Sequence, residues 1–240
     1  MLARAFAKPR VASEGEKPFW ISYADLMTAM MTLFLAAMAV TIIAIAQKVT
    51  KELSEEDKRA KDIDEVCQQM SKALQGHRYI TFNCVDTTIS FGEVGRFEYK
   101  EYKLPAEAGP VLAELIPVVL DAANSEAGKQ WFKQVVIEGY TDTKGSYLFN
   151  LQLSLQRSEW VMCLLLDPAM NASLSLTPDQ LRQVRELFLA GGVSFNNAKD
   201  SDEESRRVEM RLQFYTREEK KKLVQRPTFE SPLVDRCPLI

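Results

Sequence analysis

Between Phe19 and Ala46 the sequence carries a single full charge, the carboxyl group of Asp25. A stretch of about 28 residues gives roughly 40 Å of helix, enough to cross a hydrocarbon core of about 30 Å with some tilt. A carboxylate within such a span costs about 3 kcal/mol or more at the helix centre and less near an interface, so it asks for a function and a partner. The chemistry open to it is the reversible loading of an ion, either a proton or sodium. Thr28, Ala29, Thr32, Ala36 and Ala39 follow Asp25 at helical spacing and form a stripe of small and hydroxyl side chains on one face. Such a stripe lets a second membrane helix approach closely, while Met27, Met30, Met31, Leu33, Phe34 and Leu35 place bulk on the flanks. Thr28 and Thr32 suit either sodium ligation or packing. A plainer alternative stands beside this: Ser22-Tyr-Ala-Asp25 also fits a capping box, with Ser22 as the cap and Asp25 in the first helical turn.

A second group lies far along the chain. Glu138-Gly-Tyr-Thr-Asp142-Thr-Lys-Gly145 runs from a strand into a turn, and Asn150, Leu153, Ser154 and Arg157 follow on a helix. Asp142 can accept from an ammonium, Arg157 can clasp a carboxylate through parallel bonds, and amides at the helix start add donors. Gly139 and Gly145 permit close approach of the backbone. The alternative is a local ion pair between Asp142 and Arg157. Catalysis is not expected: Glu138 and Asp142 have no nucleophile beside them, and His77, the only histidine, lies outside any constellation. The expectation is therefore no enzyme, no cofactor and no metal site.

The elements that position these groups follow from pattern. Of 240 residues, those outside the apolar span suffice for one soluble domain with its own core. A net charge of −3 gives no basic face for direct nucleic-acid binding. The span is too long for a signal-peptide core and reads as an uncleaved anchor. Basic residues flank it on both sides, Arg4, Lys8, Arg10 and Lys17 before and Lys48, Lys51, Lys58, Arg59 and Lys61 after, so charge leaves its orientation open. From Gln47 to Gln75 charge density rises while Ile63, Val66, Met70 and Leu74 recur at helical spacing, an amphipathic connecting helix.

Tyr79–Cys84, Thr88–Phe91 and Phe97–Leu104 read as strands, the last one weakly apolar. Val111 to Ala122 is helical despite Pro117, Val135–Gly139 is a strand, and Asn150–Leu166 is a helix. Thr177-Pro-Asp-Gln180 opens a further helix that the glycines Gly191-Gly192 should end, and Arg207–Phe214 alternates as a strand. The order suggests an α/β sandwich with helices on one sheet face. Cys67, Cys84, Cys163 and Cys237 all lie beyond the apolar span; an even number can pair in an oxidising compartment or remain buried thiols. Of the three connectivities, Cys67 with Cys84 and Cys163 with Cys237 is the one expected, tying the connecting helix to the first strand and the tail to the Arg157 helix.

Trp20-Ile-Ser-Tyr-Ala-Asp25-Leu-Met-Thr-Ala-Met resembles the transmembrane helix of the MotB/PomB stator subunits. That resemblance implies that Asp25 carries an ion, with the proton favoured over sodium, at a contact with a MotA-like membrane partner. Residues from about 79 to 216 resemble the OmpA-like peptidoglycan-binding domain, whose motif GHTDxxG, then N, LS and R, is met here at the same spacings. It implies that Thr141, Asp142, Gly145, Phe149, Asn150, Leu153, Ser154, Arg157 and Arg207 bind the diaminopimelate of the wall peptide. Tyr140 stands where that family has histidine, and the region from Asp167 to Asn197 lacks its glycine-rich segment. The runs Ser125–Thr143, Leu153–Cys163 and Leu189–Ala198 resemble the ZorB family of Zorya anti-phage systems. This implies a ZorA pentamer around a homodimer of this chain, with cytoplasmic effectors acting indirectly. The implied layout is a cytoplasmic leader (1–18), a transmembrane helix (19–46) of the inner membrane, a periplasmic connecting helix (47–78), the peptidoglycan-binding domain (79–216) and a C-terminal tail (217–240).

Overall fold

One helix, α1 (Pro18–Ala73), runs without a break from the apolar span into the charged connecting segment. The computed structural model describes residues 18–222 and 236–239, of residues 18–22 only the backbone, so the leader and much of the tail lie outside the described residues. The chain divides at Glu55/Glu56 into two compact units.

In the first unit the side chains from Tyr23 onward are exposed, Leu33 to 71% and Phe34 to 65%. Apolar surface of that kind is stable only against lipid or another protein. Among the described residues this is the one helix long and apolar enough to cross a membrane, with a mean hydropathy of 2.4. Thr28, Thr32 and Thr41 donate their hydroxyls to the carbonyls of Asp25, Ala29 and Met38 at 2.8–2.9 Å, which satisfies them within the helix. Because the helix already runs at Pro18, Asp25 lies about two turns inside it and not in its first turn. The capping-box reading of Ser22 and Asp25 is thereby corrected.

The second unit is built on a five-stranded sheet of order β1-β2-β5-β3-β4. Its strands are β1 (Thr81–Asn83), β2 (Thr88–Ser90), β3 (Phe132–Tyr140), β4 (Phe188–Ser194) and β5 (Val208–Phe214). β3 runs parallel to β4, and the crossover between them holds α4 (Tyr147–Leu166) and α5 (Pro178–Leu187); the other pairings are antiparallel. α2 (Ala108–Asn124) and α3 (Glu126–Trp131) precede β3, with Pro117 accommodated inside α2. Short α6 (Asp202–Ser205) and α7 (Arg217–Lys221) flank β5. Val135, Ile137, Met210 and Leu212 of the sheet meet Leu115, Ile116 and Val119 of α2 and Val161 of α4 in one core. Val66, Met70 and Leu74 of α1 join that core, so the apolar stripe of the connecting helix is spent on docking. Arg59 adds a bond from Nε to the Tyr215 carbonyl at 2.9 Å, and Asp62 accepts from Trp131 Nε1 at 2.8 Å.

Two expectations are corrected. Phe97–Leu104 is not a strand: pairing toward β5 stops at the preceding bridge between Arg96 and Arg207 and at the bond from the Phe97 amide to the Arg206 carbonyl at 2.8 Å, and Lys100 adopts φ 62°. The carbonyls of Glu98 and Glu101 accept from the Arg157 side chain instead of a neighbouring strand. The helix opened by Thr177 ends at Leu187, and Gly191 and Gly192 belong to β4 instead of capping it. Gly192 is a glycine because α4 lies close above it. A Cβ on Gly192 would sit 2.6 Å from Ser154 Oγ and 3.0 Å from the Leu155 amide, and one on Gly139 would sit 2.0 Å from the Ser154 carbonyl.

Disulfides join Cys67 to Cys84 and Cys163 to Cys237, with Cα atoms 5.7 and 5.1 Å apart. The first ties α1 to the β1–β2 hairpin, and the second ties residues 236–239 to α4.

The close approach at Gly192 makes a paired test. Gly192→Ala should lower the unfolding free energy by about 1–3 kcal/mol through overpacking. Gly191→Ala, whose Cβ would meet Val136 at an ordinary 3.6 Å, should stay within about 0.5 kcal/mol of wild type. Urea titration of the purified chain measures both, and equal effects would contradict this packing.

Candidate functional site

The turn after β3 brings Asp142 to the start of α4, and each of its carboxylate oxygens accepts one bond. Oδ1 accepts from the Lys144 amide at 3.1 Å, an Asx turn that shapes the loop, and Oδ2 accepts from Arg206 Nη1 at 3.2 Å. Asn150 holds the same turn by donating to the carbonyls of Lys144 and Ser146 at 3.0 and 3.2 Å. Gly145 at φ 106° supplies the reversal. Asp142 is 3% exposed and Arg157 0%.

Arg157 donates to three backbone carbonyls. Its Nε donates to the Glu101 carbonyl at 2.9 Å, Nη1 to the Tyr140 carbonyl at 2.6 Å and Nη2 to the Glu98 carbonyl at 3.3 Å. The guanidinium also lies 4.7 Å from the Phe97 ring centroid. Burial pulls its pKa down to about 10, with Asp142 opposing that shift and Arg206 adding to it. The forked donors expected to meet a carboxylate are therefore spent on backbone. The Asp142–Arg157 ion pair is corrected as well, since the cation bonded to Asp142 is Arg206, whose Nε also donates to the Phe97 carbonyl at 3.0 Å.

Of the residues singled out from sequence, Thr141, Asp142, Phe149, Asn150, Leu153 and Arg157 line one cleft, joined by Tyr99, Lys100 and Lys144. Tyr99 and Lys100 of the loop at 98–101 line one side of it, and the space between these side chains is too small for a water molecule. The Thr141 hydroxyl is buried there without a hydrogen-bond partner. Ser154 sits beside the cleft, donating to the Leu151 carbonyl at 2.8 Å and accepting from the Ser194 amide at 3.1 Å, which pins α4 to β4. Arg207 lies elsewhere. Its Nε bonds Glu209 at 2.7 Å and its guanidinium stacks 4.0 Å from the Tyr140 ring centroid. Tyr140 is thus a structural residue here. Its hydroxyl donates to Glu138 at 2.5 Å, Glu138 is bridged by Arg211, and burial together with Glu138 pushes the phenol well above its ordinary range. Arg206 and the loop at 98–101 were missed from sequence. The only signal was the adjacency of Arg206 to Arg207.

The other candidate, Asp25, stands on the exposed face of α1 with Thr28 one turn on, whose hydroxyl is bonded to the Asp25 carbonyl. The hydroxyl oxygens of Thr28 and Thr32 keep lone pairs for a cation while their protons are committed to the backbone. Among the described residues no cluster of three or more metal-ligating side chains occurs.

Residues 6–55 match the family model described as membrane MotB of the proton-channel complex MotA/MotB. Over its whole length the chain is 49% identical to the Zorya protein ZorB of Escherichia coli O139:H28 (strain E24377A / ETEC), covering 99% of that protein. The chain belongs to the ZorB family. Among solved structures it overlaps a MotB-like protein of Desulfovibrio vulgaris at 19% identity, covering 67% of this chain and 93% of that one with a TM-score of 0.38. It overlaps the cell-wall anchor of the type VI secretion system of Pseudomonas aeruginosa at 18% identity, covering 61% and 97% with a TM-score of 0.37. At those scores neither overlap bears on function. Membership of the ZorB family rests on the full-length identity, and it extends over both the Asp25 helix and the Asp142 domain.

The buried guanidinium yields a stability test. Arg157→Met should lower the unfolding free energy by about 2–5 kcal/mol, because carbonyls of Glu98, Glu101 and Tyr140 lose their donor. Arg206→Gln should cost clearly less, since Asp142 keeps the Lys144 amide. Thermal unfolding that ranks the two variants the other way would reassign Arg157 to ligand binding.

Proposed function

We propose that this chain is the wall-anchored stator subunit of an ion-driven membrane motor in anti-phage defence, with Asp25 as the ion-carrying residue. One observation carries the reading: a lone carboxylate two turns inside an exposed apolar helix, beside a stripe of small residues fitted for a second membrane helix. The family relationship, and the MotB match over the same helix, support it. Protonation, or sodium held with Thr28 and Thr32, changes the charge at a helix–helix contact, and that change shifts the partner. The partner is a MotA-like subunit, ZorA, assembled as a pentamer around a dimer of this chain, with cytoplasmic effectors downstream.

A motor needs a fixed reference. The α/β domain supplies it by binding peptidoglycan through the Asp142 cleft, in an inner-membrane topology with the N-terminus cytoplasmic and the domain periplasmic. Disulfides at Cys67–Cys84 and Cys163–Cys237 support an oxidising compartment for that domain. Binding at Asp142 requires the covering loop to move and Arg206 to share or release the carboxylate. Neither a metal nor an organic cofactor enters this mechanism, and the chain performs no chemistry of its own beyond ion carriage.

Asp25→Asn keeps size and polarity but cannot change charge, so it should assemble normally and abolish protection in a phage plaque assay. Full protection by that variant at native expression would defeat ion carriage. For the wall contact, Asp142→Ala should weaken co-sedimentation with purified peptidoglycan by about 1.5–3 kcal/mol, the worth of a charge-assisted contact. Unchanged binding would place the wall ligand elsewhere.

A further inference from the structure

The loop that closes the Asp142 cleft is held from two sides. On the inner side Arg157 takes the carbonyls of Glu98 and Glu101. On the outer side Tyr102, one residue beyond Glu101, packs edge-on against Trp160 with ring centroids 5.8 Å apart, and its hydroxyl donates to the Leu239 carbonyl at 3.2 Å. Leu239 is two residues past Cys237, which is bonded to Cys163 on α4. The Cys237 amide donates to Asp167 Oδ2 at 3.0 Å, and the amides of Cys237 and Ala169 draw the Asp167 carboxyl below its ordinary range. The Leu239 side chain packs against the core. The short segment 236–239 is thus a strap, fixed at one end by a covalent bond and touching the loop at the other.

We propose that this strap is a positioning element for the wall-binding cleft: it latches residues 98–102 over Asp142 and so sets how readily ligand gains access. The inference rests on the wall-binding reading for its consequence, not for its geometry. The physical case is one of populations. With the loop seated, the cleft does not admit a water molecule, so binding draws on an open state, and apparent affinity scales with the open fraction. The inner hold on the loop is two charge-assisted bonds from the buried Arg157, while the outer hold is the edge contact of the Tyr102 ring with Trp160 and one neutral hydrogen bond in a half-buried setting. The outer hold is the one that can be released without unfolding the domain. Tyr102 and residues 238–239 therefore tune the site without touching its ligand.

The test uses the full-length protein in detergent and two variants that leave the disulfide in place. One ends at Cys237, which removes the Leu239 acceptor; the other is Tyr102→Phe, which keeps the ring on Trp160 and removes the hydroxyl. Hydrogen exchange is followed for residues 98–104 and for β3 and β5, and peptidoglycan binding is followed by co-sedimentation. Both variants should speed exchange of the loop amides by about tenfold with β3 and β5 unchanged, and should tighten apparent peptidoglycan affinity by about threefold or more. The truncated chain separates the latch from the bond, because the Cys163–Cys237 link and its stabilisation remain. Unchanged loop exchange in both variants overturns the latch. Faster exchange with unaltered or weaker retention overturns its role in access. If neither wild type nor variants bind peptidoglycan, the wall reading itself fails, and loop exchange alone then decides whether the strap positions the loop.

Discussion

A single buried guanidinium organises the domain. Arg157 reaches from α4 to the end of β3 through the Tyr140 carbonyl and to the 98–101 loop through two more, so strand, helix and loop share one set of donors. A cation taken out of water is tolerable only where its donors are met, and the planar guanidinium spreads its N–H groups over a fixed fork that reaches carbonyls on separate segments. The neighbouring details follow. Gly139 lacks a side chain because α4 must come close enough for Arg157 to reach Tyr140, and in the loop the carbonyls of Glu98 and Glu101 go to Arg157 and not to a neighbouring strand.

Much of this was legible in the sequence, for identifiable reasons. β3 carries the β-branched run Val135-Val136-Ile137, β5 alternates apolar and polar residues, and α5 declares its start through the Thr177 capping box, which closes as expected with Gln180. β4 was hidden because Gly191-Gly192 after a helical run looks like a stop signal, while the close approach of α4 that demands glycine at Gly192 is a tertiary fact. Phe97–Leu104 misled in the opposite direction: alternating aromatic and charged residues mimic a strand, and only the fold reveals that its acceptors face an arginine.

At the site, residue types were easier to find than partners. The Asp142 turn, Asn150 and the Ser154–Arg157 helix face converge as their spacing suggested. Which arginine meets Asp142 depended on where the turn before β5 lies, and two adjacent arginines, Arg206 and Arg207, diverge to Asp142 and to Glu209. The aspartate of the membrane helix was readable for a different reason. A charge in an apolar run is conspicuous without tertiary information, because lipid imposes its cost on every residue alike.

The two disulfides are consecutive along the chain and do not interlock: Cys67 pairs 17 residues on and Cys163 pairs 74 residues on, after the first ring is complete. For a chain delivered amino end first into an oxidising space, each cysteine then meets its own partner before, or at the same time as, any wrong one appears. Oxidation in order of emergence yields the native set without reshuffling. In that order Cys237 would arrive last, so that the tail is fastened only after α4, which receives it, has been delivered.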